Sequence, residues 1–92
     1  MTERILTLHP AGKQGTNISK AKYEAVRAEI LRALEGKQPL SFRGLAQEVD
    51  AGLGDEFEGS KMWYYTTVKL DLEARGEIIR QDKSGKQYLH LP

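Results

Sequence analysis

The sequence predicts an α+β domain in which three helices are followed by a C-terminal β-hairpin. Two patterns carry this expectation. Apolar residues recur at helical spacing in three separate stretches, each opened by a serine (Ser19, Ser41, Ser60) and closed by a glycine (Gly36, Gly54, Gly76). Two short runs, Glu77 to Gln81 and Gln87 to Leu91, then flank a turn containing Gly85, which is the pattern of a hairpin. With 92 residues, 39% hydrophobic and 29% charged, the chain has material for one core and no second domain.

Ile5, Leu6 and Leu8 before Pro10 suggest a short N-terminal strand, followed by a loop from Ala11 to Asn17 with Gly12 and Gly15. Residues 1–17 therefore read as an N-terminal arm and 18–92 as the folded domain. Helix one starts after Ser19, with Tyr23, Val26, Ile30, Leu31 and Leu34 on one face. Ile18 and Tyr23 occupy the hydrophobic-staple positions around its cap, and Gly36 is expected just past its end. Pro39 breaks the chain before helix two, in which Phe42, Leu45, Ala46, Val49 and Leu53 share a face. Helix three runs from Ser60 to about Arg75, and Asp82 to Lys86 forms the hairpin turn.

The net charge of +1 is unevenly spread: +3 over residues 1–22, zero over 23–42, −4 over 43–60 and +2 over 61–92. Such a chain can meet nucleic acid only if its basic groups converge on one face and the acidic middle turns away. No run approaches the roughly 20 apolar residues of a membrane span, and no signal-peptide pattern opens the chain, so a cytoplasmic protein without membrane contact is expected. The absence of cysteine excludes disulfides and thiolate chemistry.

Catalytic signals are missing. His9 precedes a proline in a loop, His90 is expected to point outward on an edge strand, and neither lies in a recognisable triad or ligand set. Gly12-Lys13-Gln14-Gly15 lacks the P-loop pattern, and Glu48, Asp50, Asp55, Glu56 and Glu58 lack the spacing of a calcium loop. No enzyme activity, cofactor or metal is expected.

Three helices and a hairpin, with a short loop between helices two and three, is the order of a winged helix-turn-helix domain. The run Leu72-Glu73-Ala74-Arg75-Gly76-Glu77-Ile78-Ile79-Arg80 resembles the signature that closes helix three and opens the wing in that fold. Over its whole length the chain is similar to a family of small uncharacterised bacterial proteins that share a start like His9-Pro10-Ala11-Gly12-Lys13 and a middle like Trp63-Tyr64-Tyr65-Thr66-Thr67-Val68-Lys69-Leu70-Asp71-Leu72. One departure concerns helix three: winged-helix regulators usually carry an apolar residue three before the closing leucine, and this chain has Lys69. The rotation of helix three is therefore left open.

The resemblance implies a DNA-binding protein, acting as a transcriptional regulator or accessory factor on double-stranded DNA. Arg43, Lys61, Lys69, Lys83 and Lys86, with Lys13, Lys20 and Lys22 near the first helix, are the candidate phosphate contacts, and Thr66, Thr67 and Lys69 the candidate base-edge contacts. In this reading the protein acts as a dimer or as an accessory to another protein; the rival reading is a protein-interaction module using Trp63, Tyr64 and Leu70 as an anchor. Helix three separates the two. Tyr65, Val68 and Leu72 form one apolar stripe, whereas Trp63, Leu70 and Ala74 form a second on the opposite side. The second stripe is expected to be covered by Ile5 to Leu8.

Overall fold

The computed structural model describes residues 3–92; Met1 and Thr2, at the tip of the expected arm, lie outside the described residues. The elements, in order, are β1 (Arg4–Leu6), β2 (Asn17–Ser19), α1 (Lys20–Gly36), β3 (Leu40–Ser41), α2 (Phe42–Leu53), α3 (Lys61–Arg75), β4 (Ile79–Lys83) and β5 (Lys86–His90). The fold is α+β, with three helices and two small antiparallel sheets.

Local chemistry accounts for the helix starts. The side chains of Ser19, Ser41 and Ser60 accept hydrogen bonds from the amides of Lys22, Gly44 and Trp63, at 3.4, 3.0 and 3.1 Å. Each satisfies one of the amides that a helix start leaves unpaired. α3 ends at Gly76, in the left-handed conformation, where Gly76 N–H donates to Glu73 O and Glu77 N–H to Leu72 O. This is the two-bond closure that favours glycine. Gly36 differs from expectation: it is the last residue of α1, and Lys37 caps the helix by donating to Ala33 O.

Three helical stripes meet in one core. Val26, Ile30 and Leu34 of α1, Leu45 and Val49 of α2, and Tyr65, Val68 and Leu72 of α3 are fully or almost fully buried, with Ile78 and Leu89 closing the core from the hairpin. Each contributes about 1.5–3 kcal/mol through removal of its side chain from water. Tyr65 packs against Phe42, and its hydroxyl donates to Phe42 O at 2.8 Å.

The C-terminal hairpin carries a third strand. β5 lies between β4 and β3, pairing Ile79 with His90 and Leu40 with Leu89. His90 is therefore half-buried on a central strand and not on an edge, and its Nδ1 lies 2.8 Å from Leu91 O. The turn is also tighter than expected. Ser84 and Gly85 both have positive φ, so the strands continue to Lys83 and Lys86 across a two-residue connection.

The N-terminal arm forms a hairpin of its own. β1, the short N-terminal strand expected from Ile5 and Leu6, pairs with β2 in the register Arg4 to Ser19 and Ile5 to Ile18, so that Asn17, expected as the end of a loop, and the staple and cap residues Ile18 and Ser19 form a strand. Thr7 prolongs the ladder: its N–H donates to Thr16 O at 2.9 Å, and its Oγ1 accepts from Thr16 N–H at 2.9 Å. A Cβ on Gly15 would lie 1.5 Å from Thr7 O, so only glycine fits beneath this crossing.

Candidate functional site

α3 is the element on which the readings diverge. At 3.6 residues per turn, Met62, Thr66, Leu70, Trp63, Ala74 and Thr67 occupy an arc of roughly 140°, opposite the buried stripe of Tyr65, Val68 and Leu72. Met62 and Trp63 are exposed, and Thr66, Thr67, Leu70 and Ala74 are half-buried. Only Glu73, at the margin, carries a charge, and that charge is paired with Lys69. The arc is apolar and hydroxylic.

Trp63 does not have the expected cover. It is 45% exposed, while Leu6 and Leu8 are themselves 59% and 44% exposed. The arm is anchored elsewhere, because Leu8 N–H donates to the Asp71 carboxylate at 2.8 Å. Asp71 lies two helical turns, about 12 Å, beyond Trp63 along α3, which puts the arm beside the C-terminal half of the helix. An open cavity of about 610 Å³ lies there, lined by the 6–10 and 12–15 segments together with Glu73 and Ala74.

Trp63 belongs instead to a surface aromatic cluster. Its ring meets Tyr64 edge-on, with centroids 4.9 Å apart, and Tyr64 meets Phe57 in the same way at 5.2 Å. The Lys22 ammonium stands over both neighbours, 5.2 Å from the Tyr64 ring and 5.8 Å from Phe57. Tyr64 and Phe57 are half-buried, so the cluster leaves the indole as its outer member.

The candidate DNA contacts separate into two groups. Arg43 is exposed in the first turn of α2 and shares an open groove of about 500 Å³ with Lys86, Gln87 and Tyr88. Lys83 and Lys86 are exposed on either side of the hairpin turn. Lys61 faces acidic groups, with Nζ 3.6 Å from Asp50 and 3.8 Å from Asp55. Thr66 spends its hydroxyl on Met62 O at 2.9 Å, while Thr67 lies on the outward arc.

Lys69 cannot serve as a base-edge contact from its position in this fold. It is 2% exposed, its ammonium pairs with Glu73 and donates to Gln87 Oε1 at 2.7 Å, and it lies 5.5 Å from the Phe42 ring centre. The departure from the winged-helix pattern thus has a physical form: a cation fills an apolar core position and brings its counter-charge from the next turn of α3. The rotation of α3 is the one that buries the Tyr65 stripe.

Asp71 is the principal functional-looking group that spacing alone did not isolate. Its wholly buried carboxylate accepts from the Tyr23 hydroxyl, from Arg75 Nε at 2.9 Å and from Leu8 N–H. The four-residue spacing to Arg75 was a visible signal, whereas Tyr23 and Leu8 are 48 and 63 residues away. Burial, followed by the hydrogen bond to Asp71, pushes the Tyr23 phenol well above its ordinary range. Its own hydrogen bond to Asp71 holds the Arg75 guanidinium in its charged form. Three donors on one acceptor make this a structural junction of arm, α1 and α3, without a nucleophile or a base poised toward solvent.

No metal-binding group of three or more His, Asp or Glu side chains occurs among the described residues, and no described helix is long and apolar enough to cross a membrane. No curated protein and no solved structure matches the chain. A family model does match, over residues 4–88, and so takes in the arm, the three helices and most of the hairpin. The chain belongs to this family of unknown function, DUF6958.

Proposed function

We propose that the protein is a protein-interaction module of winged-helix type whose binding face is the outward arc of α3. The β3-β5-β4 sheet beside three helices supports the winged-helix reading, with β4 and β5 as the wing. The observation that carries the functional reading is the chemistry of α3. Its exposed arc offers Met62 and Trp63 but no unpaired cation, since Lys61 faces Asp50 and Asp55 and Lys69 is buried. A helix reading the major groove needs side chains that donate to base edges and phosphates. A protein interface needs aromatic and aliphatic anchors with few charges at its centre, and tryptophan is prominent among hot-spot residues. In this reading the protein is a cytoplasmic, non-enzymatic adaptor.

A photo-crosslinking amino acid placed at position 62, which is exposed on the same arc and leaves Trp63 in place, tests the reading in the intact protein in its native cells, with position 24 on the exposed side of α1 as control. Adducts with protein at 62 and none at 24 are expected. Equal labelling at both positions, or none at 62, would remove α3 as an interaction face.

One observation favours DNA as a second ligand. Arg43, Lys83 and Lys86 are exposed and have no acidic partner among the described residues. Wing contact of this kind would be sequence-independent and sensitive to salt. In anisotropy titrations with duplex DNA, Lys83→Ala/Lys86→Ala should lower the log-affinity against log-salt slope by up to about 2, and Trp63→Ala should leave it unchanged. A slope unaffected by the lysine pair would discard the wing contact.

A further inference from the structure

The outward arc of α3 has a knob at one end and a hollow at the other. Trp63 projects from the first turn, and the arm cavity, lined in part by Leu6, Leu8, Pro10 and Ala74, opens beside the last turns. We infer that the occupant of this face is a second copy of the chain, with the two α3 helices antiparallel across a twofold axis and Trp63 of each copy seated in the arm cavity of the other. This inference rests on the reading of α3 as a protein-interaction face.

Symmetry makes the case specific. A twofold interface uses the same patch on both subunits, so the patch must be complementary to itself. The arc satisfies this. Trp63 and Ala74 are eleven residues apart, about 16 Å along the axis, and a twofold crossing midway between them sets Trp63 against Ala74 of the partner subunit. The same crossing sets Thr67 against Leu70 of the partner subunit. Large faces small in both pairs, which allows the close approach of roughly 8–10 Å typical of packed helices. The cavity's 610 Å³ has room for an indole, and a buried tryptophan removes about 150–250 Å² from water. Leu6 and Leu8, exposed in the single chain, would be covered together with it.

Charge follows the same symmetry. The acidic loop with Asp55, Glu56 and Glu58, all exposed, leads into α3 at the Trp63 end, whereas Lys13 lines the cavity at the other end. An antiparallel pairing brings each acidic loop to the partner subunit's Lys13; a parallel pairing sets acid against acid. A standard interface takes about 800 Å² from each partner, roughly one-seventh of the chain's 5745 Å² of accessible surface. The knob, the arc and the arm rim lie along the length of α3 and are the surface that would supply it.

Trp63 is the sole tryptophan, so its emission reports on this site alone. The test is sedimentation velocity of the intact protein over a concentration series, with tryptophan emission and acrylamide quenching recorded in parallel. A monomer–dimer equilibrium is expected, with emission shifting to the blue and quenching falling as the dimer forms. Trp63→Ala should raise the dimer dissociation constant at least about 30-fold, as loss of a hot-spot residue does, while leaving the monomer's circular dichroism and thermal unfolding intact. Ala74→Trp, which fills the hollow, should do the same. Glu58→Lys and Lys13→Glu should each weaken the dimer, and the two changes in one chain should restore it. A protein that stays monomeric with Trp63 freely quenched throughout, or a Trp63→Ala variant that dimerises normally, overturns the inference. If position 62 still crosslinks to a different protein in cells, the interaction face survives and only the second copy fails; with no adduct, both readings fall.

Discussion

Asp71 shows how much of this fold depends on a single acceptor. Its carboxylate faces three donors, from the arm backbone, the Tyr23 hydroxyl and Arg75. Asparagine has the same shape but presents an NH₂ group where an oxygen is needed, so one buried donor would lose its partner. Asp71→Asn should cost about 1–3 kcal/mol in urea unfolding and accelerate hydrogen exchange at the Leu8 amide; an unaltered midpoint would mean that the junction is dispensable. Lys69 poses the opposite problem, because the cost lies in the charge left behind. Lys69→Met alone strands Glu73, whose side chain is 7% exposed, and should destabilise by about 3–5 kcal/mol. Adding Glu73→Leu should return most of that loss, since well-packed apolar replacements for a buried ion pair are often neutral or stabilising. If the double variant were as unstable as the single, the pair would be holding α3 to β5 chiefly through Gln87.

At the scale of elements, the arm hairpin depends on Gly15. Gly15→Ala sets a methyl against the Thr7 carbonyl and should cost about 1–3 kcal/mol, with loss of amide protection at Thr7 and Thr16 and the helices unaffected. Gly36→Ala is the contrasting case: nothing lies within 4 Å of an added Cβ and its φ is not positive, so stability should rise by about 0.4–1 kcal/mol. Both outcomes can be read from chemical denaturation and exchange. The helices were legible in the sequence because their information is local, in serine caps, apolar spacing and, for α2 and α3, a terminal glycine. The arm was not. β1 and β2 are three residues each, joined across a ten-residue connection, and neither alternates well enough to announce a partner. The apolar surplus of Trp63, Leu70 and Ala74 was also visible, but its cover was assigned by elimination among unplaced apolar residues. The Leu8 to Asp71 bond, which fixes the arm two turns away from Trp63, joins residues 63 apart in sequence. Lys69 stood out as a break in the pattern, whereas Gln87, which helps to satisfy it, gave no signal of its own.

For the whole molecule, the buried phenols set an alkaline limit. Burial raises the Tyr23 and Tyr65 hydroxyls above their ordinary range, assisted by Asp71 for Tyr23 and Glu73 for Tyr65. The folded state therefore keeps both protons at a pH where the unfolded chain releases them. Their contribution is complete below about pH 10, the ordinary tyrosine value, and is lost as pH rises beyond it. The urea midpoint should accordingly show no tyrosine-linked fall up to about pH 10 and then drop. Tyr65→Phe should shallow that drop while costing about 1 kcal/mol at neutral pH through its lost bond to Phe42 O; an identical alkaline slope would assign the limit to other groups. The sheets bear on a different property, the behaviour of the protein at high concentration. A strand with one open side is a template for another chain, and natural proteins blunt such sides with brevity or charge. Here β3 has two residues and β1 and β2 have three each. β4, the longest strand with an open side, carries Arg80, Asp82 and Lys83 in five exposed residues. Backbone-to-backbone stacking is discouraged on every described sheet, so the pairing of α3 helices inferred above would join copies through side chains without opening a route to strand-by-strand polymers.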